Sequence, residues 1–178
     1  MKSWFILSAI GSDRPGLVAE LAQLIYDCDA NLEDSRMSIL GSDFAVILLC
    51  SSDAKGVEHQ LATGAKNLER EHGLTVLIRP LDGRQRPPIP APGTRLYRVE
   101  AVGEDRAGIV AALCRLLADR GVNIAELSTR SRIGPGGSPH YELTIAAEVP
   151  ETADIQDLAQ ALEAEADHLV IDVVLTPS

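Results

Sequence analysis

Two short loops carry the residues of this chain best suited to chemistry. Gly11-Ser12-Asp13-Arg14-Pro15-Gly16-Leu17-Val18-Ala19 returns as Gly103-Glu104-Asp105-Arg106-Ala107-Gly108-Ile109-Val110-Ala111. Each loop ends an apolar run and opens an amphipathic one, so it places the first N–H groups of a helix at its tip. Those groups lack partners inside the helix, and the helix dipole adds to them, so they favour an anion such as a carboxylate. Gly11 and Gly103 would let the chain turn, and Gly16 and Gly108 leave room for a ligand near the backbone. Further on, Asn31 and Asn123 each precede a second strand. An asparagine amide accepts from an ammonium and donates to a carboxylate. Together these groups suit an α-amino acid. Each also has a plainer reading. Asp13 and Asp105 read as helix caps, Asn31 and Asn123 as turn residues, and Arg14 and Arg106 as solvated or paired with nearby acids.

The elements that must position these residues are themselves repeated. The register holds at a constant offset of 92 residues through Leu21/Leu113, Leu24/Leu116 and Asp27/Asp119 to Asn31/Asn123, and ten of the 21 positions from Gly11 to Asn31 are identical. A gapless repeat of this density reads as a duplicated domain. In the first copy, periodicity predicts a strand over 3–10, a helix over 16–28, strands over 31–39 and 44–50, a helix over 55–71 stopped by Gly73, and a strand over 74–81. Asp13 is the expected N-cap, with Pro15 tolerated in the first turn. The second copy repeats the order, with strands over 96–102, 123–132, 140–149 and 169–175 and helices over 108–120 and 154–166. Gly121 caps the first of these. Strand, helix, strand, strand, helix, strand is the α+β ferredoxin-like order, a four-stranded antiparallel sheet with two helices on one face. The domains are expected at 1–82 and 94–178, joined by a Pro-rich spacer at 83–93. Four of the chain's ten prolines fall in Arg84–Gly93, which predicts an extended linker. The longer hairpin loop Gly134–Pro139 is a candidate lid.

The two sheets differ. Tyr141, Leu143, Ile145 and Ala147 alternate with Glu142, Thr144 and Glu148, one buried face and one wet face. Trp4–Leu7 and Phe44–Leu49 are apolar on both faces. The second face of that sheet calls for a cover, either the other domain or another subunit, and a homo-oligomer is expected.

Composition narrows the function. The chain has 178 residues, 46% hydrophobic and 24% charged, with a formal net charge of −10. Residues 1–93 carry 9 basic and 12 acidic groups and residues 94–178 carry 7 and 14, so neither half offers the basic surface that direct nucleic-acid binding requires. The apolar start reads as a first strand, not a signal peptide, and no run approaches the ~20 apolar residues of a membrane span. Cys28, Cys50 and Cys114 form no Cys-x-x-Cys pair and suit a reducing cytoplasm. No catalytic or metal constellation assembles. The histidines are scattered, and no nucleophile elbow, P-loop or His-Glu-x-x-His is present. No enzyme activity and no cofactor are expected.

A strand, Gly-x-Asp-Arg-Pro-Gly-Leu-Val, an amphipathic helix and then Asn-Leu or Asn-Ile resembles the ACT domain, a small-molecule regulatory module. Residues 103–124, ending Asp119-Arg120-Gly121-Val122-Asn123-Ile124, fit it closely. A tandem pair of this length is similar to the glycine cleavage system transcriptional repressor family. Formyltetrahydrofolate deformylases begin with a similar module, but nothing here resembles their catalytic domain. The resemblance implies amino-acid binding at interfaces between ACT domains, with glycine or serine as the expected ligand. The ligand would contact Asp13, Arg14, Pro15, Gly16, Leu17 and Asn31 of one copy, and Asp105, Arg106, Ala107, Gly108, Ile109 and Asn123 of the other. It also implies action through a regulatory protein partner in place of direct DNA contact. Two positions depart between copies: Pro15 becomes Ala107, and Asp29 stands where the second copy has Gly121. The two sites are therefore expected to differ.

Overall fold

The computed structural model describes residues 2–82, 89–133 and 139–178. The chain divides into two compact units, Met1–Gln85 and Arg86–Ser178. Unit one runs β1 (Ser3–Ser12), α1 (Leu17–Asp27), β2 (Asn31–Leu40), β3 (Asp43–Ser52), α2 (Val57–His72) and β4 (Thr75–Leu81). Unit two runs β5 (Thr94–Glu104), α3 (Ile109–Asp119), β6 (Asn123–Ile133), β7 (Pro139–Pro150), α4 (Ile155–Leu169) and β8 (Ile171–Pro177). The sheets are ordered β2-β3-β1-β4 and β6-β7-β5-β8, antiparallel throughout. This is the expected α+β ferredoxin-like fold, twice. Because β1 and β2 both run against β3, they run parallel to each other, and β2 and β6 are edge strands.

Each core follows from the sequence periods. In unit one, alternate strand residues Leu7, Ala9, Phe44, Val46 and Leu48 meet Leu17, Leu21 and Ile25, one stripe of α1. Phe5, Cys28, Val57 and Leu61 extend the core towards α2. In unit two, Val99, Ala101, Leu143 and Ile145 meet Ile109, Leu113 and Leu117 of α3 and Leu158 and Leu162 of α4.

The backbone explains several glycines differently from the sequence reading. Gly11 and Gly103 lie within β1 and β5 and turn nothing. A Cβ at either would come within 2.6 Å of a side-chain carbon, on Leu74 or Ile171, so both glycines pack closely against the chain entering the last strand, most tightly at Gly103. Gly121 is left-handed at φ 69, and so is Asp29 at φ 51 in the matching place of unit one.

The outward face of the first sheet is apolar as expected, with Ile10, Ile47 and Leu77 exposed. The second sheet's outer face departs at one residue. Glu148, read as solvated, is only 2% exposed. Asn123 Nδ2 donates to one of its oxygens, and the Ala91 N–H donates to the other at 3.1 Å. The expected spacer and the hairpin loop fall partly outside the described residues, at 83–88 and 134–138. The part of the spacer that is described is tied to unit two. Thr94 N–H donates to Ala91 O at 3.0 Å, and Glu151 N–H donates to Gly93 O at 2.9 Å.

Candidate functional site

The two loops build open helix N-termini. Helices α1 and α3 start at Leu17 and Ile109, and Gly16 and Gly108 stand at their N-caps with φ 95 and φ 103. L-residues avoid this left-handed backbone, so both positions require glycine for conformation. No side chain caps either helix. Asp13 and Asp105 are therefore not the caps they were read to be. Each lies three residues before the N-cap, too early to reach the first-turn N–H groups. The Asp13 N–H instead donates to Ser42 O at 2.9 Å, and the Asp105 N–H donates to Pro139 O at 3.3 Å. These bonds pin each loop to the hairpin of its own unit. Gly56 opens α2 in the same left-handed way, whereas α4 has a side-chain cap, Asp154, accepting from Gln156 N–H at 2.8 Å.

The loop arginines pair differently in the two units. Arg14 Nη2 lies 2.6 Å from Glu20 Oε2, and His72 Nε2 lies 3.2 Å from the same oxygen. The hydrogen bond from Arg14 holds the Glu20 carboxyl below its ordinary value. Position 112 in the second copy is alanine. Arg106 turns back to Glu104 at 2.9 Å instead, and Asp105 accepts from Ser131 Oγ at 3.1 Å.

Asn31 and Asn123 do not join the loops of their own units. Asn31 pairs in register with Ser51, and Ser51 pairs with Trp4 at the start of β1; Gly11 pairs with Phe44 at the far end. The 11 residues of α1 separate the two ends by about 16 Å. The sequence reading, which gathered loop and asparagine around one ligand, is not met inside a single unit.

At the Asn31 end lies an open concavity of about 600 Å³, lined among others by Lys2, Tyr26, Asn31, Ser51 and Asp53. Glu33 ties two of these lining residues, Lys2 and Ser51, together. The register of β2 shifts between Leu32 and Asp34, so Glu33 occupies a bulge, a feature that re-aims a side chain. Its carboxylate accepts from Ser51 Oγ and from the Asn31 side chain, and Lys2 Nζ donates to it at 2.9 Å. Bonds from Ser51, Lys2 and Asn31, in that order, lower its pKa to about 2. The matching bulge of β6, between Ile124 and Glu126, holds Ala125. Only the backbone register reveals this residue; Glu33-Asp34 in sequence looks like ordinary surface.

Burial pushes the Cys50 thiol up to about 11, with Glu33 adding to the shift, and burial also raises Cys28 and Cys114. The raised values disfavour the thiolate, the nucleophilic form. Among the described residues, no group of three or more His, Cys, Asp or Glu is placed to hold a metal ion. No helix there is long and apolar enough to cross a membrane.

The chain is 28% identical over 165 residues to the glycine cleavage system transcriptional repressor of Escherichia coli K12, covering 90% of this chain and 83% of that protein. The crystal structure of an unknown protein from Galdieria sulphuraria superposes with a TM-score of 0.81 at 29% identity, covering 100% of this chain and 99% of that one. A putative glycine cleavage system transcriptional repressor shares the fold, with a TM-score of 0.71 at 20% identity over 99% of this chain and 97% of that one. Residues 3–78 and 97–167 each match the ACT domain, so the chain belongs to the ACT domain family and carries two copies in tandem.

Proposed function

We propose that this protein is a non-catalytic amino-acid sensor, similar in role to the glycine cleavage system repressor, that conveys occupancy to a regulatory protein partner. The observation that carries the reading is the doubled loop. Two uncapped helix N-termini, each held open by a left-handed glycine, present N–H groups suited to a ligand carboxylate.

A second copy of the chain supplies the rest of the site. The loop after β1 lies at the C-terminal end of β2, because the two strands are parallel. Every residue of β2 is exposed, and its outer edge is free to pair. Antiparallel pairing of two β2 edges brings Asn31 of one copy to the loop of the other. The separation of about 16 Å inside one unit then becomes proximity between units. The ligand's carboxylate meets one copy's helix N-terminus and its polar remainder meets the other copy's Asn31. A small amino acid such as glycine or serine suits this site.

A second reading is a subunit that docks on an amino-acid biosynthetic enzyme. The exposed Ile10, Ile47 and Leu77 on the outer face of the first sheet favour a protein contact of some kind. Titration calorimetry with glycine and serine separates the two. Binding that is lost in Asn31→Ala supports the sensor; no heat from either amino acid favours the docking subunit.

A further inference from the structure

We propose that Glu33 is the ammonium-binding residue of the first unit's amino-acid site, that Lys2 stands in for the ligand's ammonium in the free protein, and that the second unit's corresponding carboxylate is sealed by the segment preceding β5. This rests on the sensor reading above and deepens it.

Glu33 sits in the β2 bulge with its side chain 26% exposed, and its hydrogen-bond partners Lys2 and Ser51 line the open concavity. Buried Ser51 and the Asn31 amide fix the carboxylate from one side. Lys2 approaches from another, with its own side chain 47% exposed. A surface ion pair of this kind is weak and exchanges readily. Asp29 and Asp53 line the concavity together with Lys2, which adds negative charge to this corner. The corner is electrostatically selective for a cation, and an α-ammonium can replace that of Lys2 without leaving a buried charge unpaired.

The second unit is built differently. Its bulge residue is Ala125, and the carboxylate comes from the next strand as Glu148. Glu148 is buried, with Asn123 on one oxygen and the Ala91 N–H on the other. Residues 91–94 are closed into a turn, Thr94 Oγ donating to Ala91 O at 2.6 Å. A ligand ammonium reaches Glu148 only by displacing that backbone.

Glycine titrated calorimetrically into the full chain tests this, with acetate and methylammonium as ligands bearing one charge each. Glu33→Gln is expected to weaken glycine at least tenfold. Lys2→Met, which removes the competing ammonium, is expected to tighten it severalfold; a merely structural Lys2–Glu33 pair would give the opposite sign. Glu148→Gln is expected to leave glycine affinity within twofold while speeding hydrogen exchange of the Ala91 amide at least tenfold. Acetate and methylammonium are each expected to bind at least tenfold more weakly than glycine. Unchanged glycine affinity in Glu33→Gln, or its loss in Glu148→Gln, overturns this proposal and leaves the sensor reading standing. Failure of both glycine and serine to bind the unmodified chain overturns the sensor reading and this proposal with it.

Discussion

At the residue scale, the two copies keep one backbone conformation where their side chains differ. Asp29 and Gly121 both adopt positive φ, but only glycine does so without a steric cost. Asp29→Gly is expected to stabilise the protein by up to about 1 kcal/mol and Gly121→Asp to destabilise it by a similar amount. Urea unfolding of both variants measures this, and opposite signs are the expected result. Glu33 and Glu20 contribute to the acid side of the stability curve. Both carboxyls are held below their ordinary value of 4.5 in the folded chain. The stability they contribute is therefore fully present above that value. It is lost as pH falls through the folded pKa, which for Glu33 is about 2. Unfolding followed between pH 5 and pH 2 is expected to show a shallower decline in Glu33→Gln than in the parent chain.

At the element scale, the fold was legible because hydrophobic period and glycine punctuation agree. Leu17, Leu21 and Ile25 mark one face of a helix, and Gly73 stops α2 in the left-handed conformation, φ 65. Most strands extended at one or both ends by one or two residues, since a ladder continues wherever partners remain, whereas β4 and β8 start one and two residues later than expected. The candidate site was legible only in part. The loops were found because they repeat, but their helices lack the side-chain caps expected of Asp13 and Asp105. The roles of Asp13 and Gly11 were misread, because a cap depends on where the helix begins and a strand glycine on what packs against it. Glu33 and Glu148 were missed for a related reason. A bulge and a neighbouring backbone amide decide their surroundings, and neither has a local signature. Caps give a direct check on this level of the account. Asp154→Ala removes the side-chain cap of α4 and is expected to cost about 1 kcal/mol in chemical denaturation. Asp13→Ala removes no cap and is expected to leave α1 unchanged by the same measurement.

At the scale of the whole molecule, charge and edges set what the protein is expected to bind. A net charge of −10 opposes approach to a phosphate backbone, so the protein alone is not expected to retard duplex DNA in a gel at low salt. The β2 edge carries Met37 and Ile39, each 50% exposed on the face that bears the helices. An exposed edge strand of this length, with apolar residues towards its C-terminal end, can pair with a copy of itself. Sedimentation velocity is expected to find a dimer in the parent chain and a monomer in Ile39→Lys, with amino-acid binding lost in the variant because each site draws on two chains. A monomeric parent that still binds would remove the shared site.

The central claim, that this tandem ACT protein senses a small amino acid, is tested most directly by thermal unfolding with glycine, serine and the other common amino acids in turn. A ligand that binds only the folded state, present at roughly 100 times its dissociation constant, adds about 2.7 kcal/mol. The account expects a melting shift of several degrees from one small amino acid, abolished in Asn31→Ala. No shift from any of them would contradict it.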